Sequence, residues 1–76
     1  MDKPFQQVKW YDHNANASWR PMEHVEDNSK PSVCVTRGWL VYEDELVINL
    51  ANNYIEDCED ETVGGESVIL KSTIRS

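Results

Sequence analysis

The sequence predicts a single small, mainly β domain, folded as a five-stranded barrel with one short helix between strands 1 and 2. Three observations predict it. β-Branched and aromatic residues are concentrated in short runs, polar turn residues separate those runs, and a glycine interrupts the longest one. A chain of 76 residues has room for one domain, residues 1–76, and for only a small core.

The first strand is predicted over residues 6–11, with Val8 and Trp10 on one face. Residues 12–18 are rich in Asp, Asn and Ser, which bond to their own backbone and favour turns. A helix of barely two turns is then predicted over residues 18–26, capped by Ser18. Its apolar residues at helical spacing are Trp19, Met22 and Val25.

The strongest strand pattern covers residues 32–42, and Gly38 within it predicts a bulge or a sharp bend. Residues 43–45 predict a tight turn. Residues 46–51 then return as the hairpin partner, with Ile48 and Leu50 on the more apolar face.

The rest of the chain is predicted to supply the last two strands. Residues 52–65 are polar, acidic and end in two glycines, which predicts a long loop. Residues 66–71 read as another strand, and residues 72–76 as one turn and a short closing strand. Five strands and one short helix are typical of a small SH3-like or Sm-like barrel.

The acidity of the chain is local. The formal net charge is −7, yet residues 1–42 hold equal numbers of acidic and basic groups, whereas residues 43–66 hold no Lys or Arg. Such a surface attracts basic proteins and repels nucleic acid, so no direct nucleic-acid binding is expected. A solvated loop is the competing interpretation. The candidate partner-binding residues are Glu43, Asp44, Glu45, Glu56, Asp57, Glu59, Asp60 and Glu61.

No motif predicts catalysis, a metal or a cofactor. The acidic run lacks the spacing of a calcium-binding loop. The potential zinc ligands do not form the close pairs of structural zinc sites, and Cys34, within a strand, is more simply a buried apolar residue. Nucleophile, phosphate-loop and metalloprotease motifs are also missing, so we expect no enzyme activity. The four potential zinc ligands are His13, His24, Cys34 and Cys58.

Aromatic residues interleaved with basic ones suggest a second kind of site, because rings stack on nucleotide bases and arginine pairs with phosphate. The tryptophans Trp10 and Trp39 are better explained as core. The candidate ligand-binding residues of this alternative are therefore Arg20, Arg37 and Tyr42.

Neither a membrane span nor a signal peptide is predicted, since no apolar run approaches about 18 residues and the first six residues are largely polar. A cytoplasmic protein with free thiols is expected.

Several residues, in this order, resemble a group of small uncharacterised bacteriophage and prophage proteins. The resemblance spans residues 8 to 75 and its motifs are structural. They are Val8-x-Trp10, Trp19, the run from Thr36 through Gly38-Trp39-Leu40-Val41 to Glu43-Asp44, the pattern of Val47, Ile48, Leu50 and Ala51, the pair Gly64-Gly65, and the closing residues 68–74.

This resemblance implies an accessory protein of the bacterial host cytoplasm that acts by stoichiometric binding, as in counter-defence or host takeover. One hypothesis is an inhibitor whose acidic segment docks on a basic host protein. The alternative is an oligomeric sponge for a nucleotide immune signal, such as a cyclic nucleotide or an ADP-ribose derivative. A virion or regulatory scaffold is a third possibility. A ring or dimer would cover exposed strand edges in any of them.

Overall fold

In the computed structural model of the chain, four antiparallel strands follow one another in a single sheet, in the order in which they occur along the chain. The structure describes residues 2–13, 17–26, 29–57 and 59–75. The strands are β1 (Phe5–Asp12), β2 (Ser32–Glu43), β3 (Val47–Ile55) and β4 (Thr62–Leu70).

Strand β2 is shared between two partners. Its residues 32–39 pair with β1, and its residues 39–43 pair with β3. The second ladder contains a bulge between Leu40 and Tyr42. The two ladders overlap only at Trp39. Strand β1 therefore pairs along one edge of the first part of β2, and β3 pairs along the other edge of its last part.

The β3–β4 hairpin extends beyond the rest of the sheet. Ala51 is the last β3 residue with a partner in β2, whereas pairing with β4 continues to Ile55 opposite Thr62. Residues 52–65, which we call the arm, are therefore two-stranded. The chain measures 57 × 22 × 17 Å, and its radius of gyration is 16.9 Å. A compact chain of this length has about 11 Å, so the fold is elongated.

The core is small and lies on one face of the curved sheet. Val8, Ile48, Leu50 and Ile69 form one buried cluster, and Trp10, Leu40 and Ile74 pack against it. The alternation of side chains along the strands places these residues on the inner face. The predicted inner faces of residues 6–11 and 46–51 are confirmed.

Gly38 lies where two backbones approach each other most closely. A Cβ atom at this position would lie 2.6 Å from the Ala51 carbonyl oxygen. Both residues are buried. The bulge is found three residues further on, so the requirement at Gly38 is for space. Since the obstacle is backbone, no rotamer change can relieve it.

The structure contains fewer strands than the predicted five, and the barrel is not closed. Among the described residues the sheet has four strands. In place of a closing strand, a 3₁₀ turn at Lys71–Thr73 leads to a single bridge between Ile74 and Trp10. The turn ends the extended backbone of β4, and among the described residues that follow it only Ile74 forms a β-bridge with β1. Ser76 lies outside the described residues.

The predicted helix over residues 18–26 is wrong in the part that the structure describes. Only a 3₁₀ turn forms, at Met22–His24, and Trp19 is fully exposed. A helix of two turns has little intrinsic stability in water, and the side chains of Trp19 and Met22 find no apolar surface to cover. The predicted turn residues 14–16 lie outside the described residues.

The predicted loop over residues 52–65 is also too long. Strand β3 continues to Ile55 and β4 already begins at Thr62, so Gly64 and Gly65 lie within a strand. A two-stranded arm faces water on both sides. Its sequence therefore shows no apolar alternation, which is the signal that predicts strands.

Replacing Gly38 with alanine should destabilise the fold by about 1–3 kcal/mol, because the new methyl group meets the Ala51 backbone. The matched control is Gly64→Ala, whose Cβ meets nothing within 4 Å. It should leave stability unchanged or raise it by up to about 1 kcal/mol. Urea unfolding measures both, and equal effects of the two substitutions would contradict the assigned contact.

Candidate interaction surfaces

The far end of the arm carries the densest charge of the molecule. Glu56, Asp57, Glu59, Asp60 and Glu61, which we call the acidic tip, are exposed between β3 and β4. The Thr62 hydroxyl donates to the Asp60 carbonyl oxygen at 3.1 Å. Within the described residues, no group of His, Cys, Asp and Glu is arranged to hold a metal ion. Cys58 lies outside them, so its place among the potential zinc ligands is not defined.

The other predicted acidic residues form the turn between β2 and β3. One carboxylate oxygen of Asp44 accepts hydrogen bonds from the backbone N–H groups of Leu46 (2.8 Å) and Val47 (2.9 Å). Its second oxygen accepts from the Tyr42 hydroxyl at 2.8 Å. Asp44 therefore closes the turn through its side chain, and the predicted tight turn is confirmed.

These contacts shift two titrations in opposite directions. The backbone N–H of Val47, then that of Leu46 and the Tyr42 hydroxyl, lower the pKa of Asp44, because each donor stabilises the carboxylate. The hydrogen bond to Asp44 and the charge of that carboxylate raise the pKa of Tyr42. Both effects favour a charged Asp44 beside a neutral Tyr42 at neutral pH.

The turn and the acidic tip are separate surfaces. Strand β3 connects them, and its nine residues span about 26 Å. At the turn, the Lys71 ammonium lies 2.6 Å from the Glu43 carboxylate. The predicted acidic segment is thus divided into a turn that is partly neutralised and a tip in an arm without Lys or Arg.

The residues of the nucleotide alternative are spread over the molecule. Arg37 donates a hydrogen bond to the Gln7 side chain on the outer face of β1 and β2. Tyr42 lies five residues further along β2, about 16 Å away, and is bonded to Asp44. Arg20 belongs to the connection between β1 and β2. None of the three lines the cleft described below.

Three aromatic rings link the arm to the rest of the sheet. The Trp39 ring meets Phe5 edge to face at a centroid distance of 5.2 Å, and Tyr54 of the arm at 5.0 Å. Trp39 is therefore partly buried among rings, outside the main core cluster. Trp10 packs against that cluster and donates to the Thr36 hydroxyl at 2.9 Å. Of the two tryptophans predicted as core, Trp10 is the one that contacts it.

A cleft of about 370 Å³ lies between the end of β1 and the end of β4, where the sheet is open. Its volume is at the lower end of small-molecule sites. The lining includes no Lys or Arg. No sequence pattern predicts this cleft, because its walls come from segments that are far apart in the chain. The lining residues are Trp10, Tyr11, Asp12, His13, Pro31, Val68, Ile69, Leu70 and Thr73.

Comparisons with protein-family models, with curated proteins and with solved structures found no match to this chain.

Within the described residues, the chain has no helix of the length and apolar character that crossing a membrane requires.

Asp44 should stabilise the fold in a pH-dependent way. Its pKa is lower in the folded chain than the ordinary value of 3.8, so the contribution of its charge is present above pH 3.8. That contribution is lost as the pH falls through the folded-state pKa. In the Asp44→Asn variant the amide oxygen still accepts hydrogen bonds, but without charge. We expect a lower melting temperature than wild type at pH 7 and a difference that shrinks as the pH falls below 3.8.

Glu45→Gln is the matched control, because Glu45 lies exposed in the same turn. The melting temperatures of wild type, Asp44→Asn and Glu45→Gln are measured by circular dichroism from pH 2.5 to pH 7. This range includes the acidic region in which the lowered pKa of Asp44 should affect stability. A gap between wild type and Asp44→Asn that stays constant with pH would contradict the charged role of Asp44.

Proposed function

We propose that this chain is a non-catalytic binding protein whose acidic tip docks on a basic surface of another protein. The observation that supports the proposal most directly is the position of the tip. Five carboxylates stand at the end of a two-stranded arm, beyond Ala51, the last residue of β3 that is paired with β2.

The tip carboxylates have no part in holding the described fold together. Among the described contacts, no hydrogen bond or ion pair uses a side chain of the tip, whereas Asp44 and Glu43 of the turn are both engaged. Like charges placed close together repel each other, so an uncompensated cluster lowers stability. A basic partner would relieve that repulsion, which makes the cluster better suited to a complex than to the free chain.

The arm also presents its charge efficiently. It contributes five of the seven net negative charges and contains no Lys or Arg. Charges that project from the body of a protein are accessible to a partner from several directions. Clustered charge of one sign speeds association with a surface of the opposite sign, and the effect weakens as salt is added.

The resemblance to bacteriophage proteins extends the proposal to a biological role. An accessory protein in the cytoplasm of a bacterial host, acting in counter-defence or host takeover, would need one tight contact with a host protein. The nucleotide alternative has less support, because Arg20, Arg37 and Tyr42 do not surround one cleft. The cleft that does exist contains Asp12, which would repel a phosphate.

Neutralising the five tip carboxylates together should abolish partner binding without loss of thermal stability, because no described hydrogen bond or ion pair uses their side chains. The changes are Glu56→Gln, Asp57→Asn, Glu59→Gln, Asp60→Asn and Glu61→Gln. Affinity capture from a bacterial lysate, quantified by mass spectrometry, would be compared between this variant and wild type, with capture by wild type decreasing as salt rises.

The control variant removes five carboxylates outside the arm, so that its net charge equals that of the tip variant. These are Asp2, Glu23, Glu26, Asp27 and Glu45. We expect a basic host protein that wild type and the control variant retain and the tip variant loses. If both variants lose the host protein equally, the effect depends on net charge alone. If the tip variant still captures the host protein, the proposed docking surface is ruled out.

A further inference from the structure

The cleft between the end of β1 and the end of β4 lies where the sheet does not close. Within the described residues, β1 and β4 are the two edge strands, and the outer edge of β4, which we call the free edge, has no neighbouring strand. Val68, Ile69 and Leu70 form the wall on the side of β4, and residues 10–13 form the opposite wall. The cleft is therefore a direct consequence of the topology.

Apolar side chains make up most of the walls. Val68 and Leu70 are 66% and 47% exposed, although both are large apolar residues. Pro31, which precedes β2, adds a third apolar surface. Thr73 contributes a hydroxyl, but that group already donates to the Leu70 carbonyl oxygen at 2.7 Å. Because apolar area in a concave site is best covered by the apolar part of a ligand, these walls favour a ligand with a hydrocarbon or aromatic body.

One carboxylate gives the cleft its charge. Asp12 is the only Asp, Glu, Lys or Arg among the described lining residues. The alternation of side chains along β1 places it on the same face as Val8 and Trp10, and it is half-buried there. Its one described partner is His13, whose Nδ1 lies 3.8 Å from the Asp12 Oδ1, too far for a hydrogen bond. No described Lys or Arg pairs with Asp12, so its charge is available to a ligand.

Two aromatic rings stand on the same wall as this carboxylate. Trp10 and Tyr11 both line the cleft. The Trp10 indole N–H donates to the Thr36 hydroxyl at 2.9 Å, which restrains the ring. The faces of aromatic rings are electronegative and attract cations, and tryptophan does so most strongly. The rings and the carboxylate therefore favour the same kind of ligand, one that carries a positive charge.

We propose that this cleft binds a small organic cation, an ammonium group on an apolar or aromatic body. The ammonium group would lie against the Asp12 carboxylate and the Trp10 ring, and the body would cover Val68 and Leu70. The volume of about 370 Å³ suits a ligand at the small end of the usual range. The cleft and the acidic tip lie at opposite ends of β4, so the inference does not depend on what the tip binds.

Other classes of ligand fit the cleft less well. A phosphate or carboxylate group would meet the charge of Asp12 and no described basic side chain of the lining. A metal ion needs several ligands, and within the described residues no group of His, Cys, Asp and Glu is arranged to hold one. A neutral apolar molecule would gain nothing from the charge of Asp12. The carboxylate therefore selects for an amine.

The test compares three probes of similar shape and different charge, added to the isotope-labelled chain at pH 7. Phenethylamine is a cation at this pH, phenethyl alcohol is neutral and hydrocinnamate is an anion. A nuclear magnetic resonance titration follows the Trp10 indole N–H and the backbone amides of Val68 and Leu70. We expect the dissociation constant of the amine to be about five- to tenfold lower than that of the alcohol, and the anion to bind most weakly.

Asp12→Asn should weaken the binding of phenethylamine to the level of phenethyl alcohol, because it removes the charge of the cleft and keeps its shape. The affinity for the alcohol should not change. Asp2→Asn is the matched control, since it makes the same change in net charge at an exposed residue that precedes the other end of β1. This control variant should bind the amine as wild type does.

Val68→Lys tests the site in the opposite direction. An ammonium group of the chain itself, placed on the cleft wall, should weaken the binding of phenethylamine and strengthen that of hydrocinnamate. Val35→Lys should do neither, because Val35 is an exposed strand valine on β2 that does not line the cleft.

Four results would overturn the proposal. They are equal binding of the amine and the alcohol to wild type, an unchanged affinity of Asp12→Asn for the amine, unchanged affinities in Val68→Lys, and amine-induced shifts that are confined to the amides of the acidic tip. The last result would attribute the binding of the amine to the net negative charge of the chain.

Discussion

The fold depends on the close approach of Gly38 to the Ala51 backbone. At this point β2 passes from one partner to the other, and the two strands come so near that a Cβ atom at Gly38 would lie 2.6 Å from the Ala51 carbonyl oxygen. Pairing of β2 with β3 begins one residue later, at Trp39. The contact joins two hairpins into one sheet and brings their inner faces together around Leu50, which is 1% exposed.

The elongated shape follows from this junction. Since β2 pairs with β3 only over residues 39–43, the far half of the β3–β4 hairpin has no neighbour in the sheet. It is attached through its own ladder and through the edge-to-face contact of Tyr54 with Trp39. The same geometry leaves the outer side of β4 without a neighbouring strand among the described residues, because the 3₁₀ turn at Lys71–Thr73 leads the chain from β4 to β1. The acidic tip and the free edge thus lie at opposite ends of β4.

Sequence patterns predicted the parts of the fold in which one face is buried. The inner faces of β1 and β3 show the two-residue alternation that follows from a half-buried strand. Residues 43–45, which include Asp44, have the polar composition of a turn. The same rule could not find the arm, where both faces meet water. Trp19, Met22 and Val25 matched a helical period by spacing alone. A short periodic run predicts a helix only if the fold supplies a surface for it, and the sequence does not show that surface.

The candidate sites differ in how well they can be predicted from the sequence. The carboxylates of the acidic tip are nearly contiguous along the chain, so the sequence alone is enough to identify the cluster. Its separation from Glu43 and Asp44 could not be predicted, because it depends on β3 extending to Ile55. The cleft and the free edge of β4 depend on which strands are left unpaired. That property belongs to the topology, which a single sequence defines only loosely.

The most direct test of this account is amide hydrogen exchange, measured residue by residue by nuclear magnetic resonance. If the arm is an appendage to a separate core, Tyr54 and Val63 should exchange through local opening. Isolated two-stranded hairpins are barely stable in water. The amides of Ile48 and Ile69, which occupy equivalent positions in the same ladder, should exchange only when the whole chain unfolds. Equal protection at all four amides would contradict the division into core and arm.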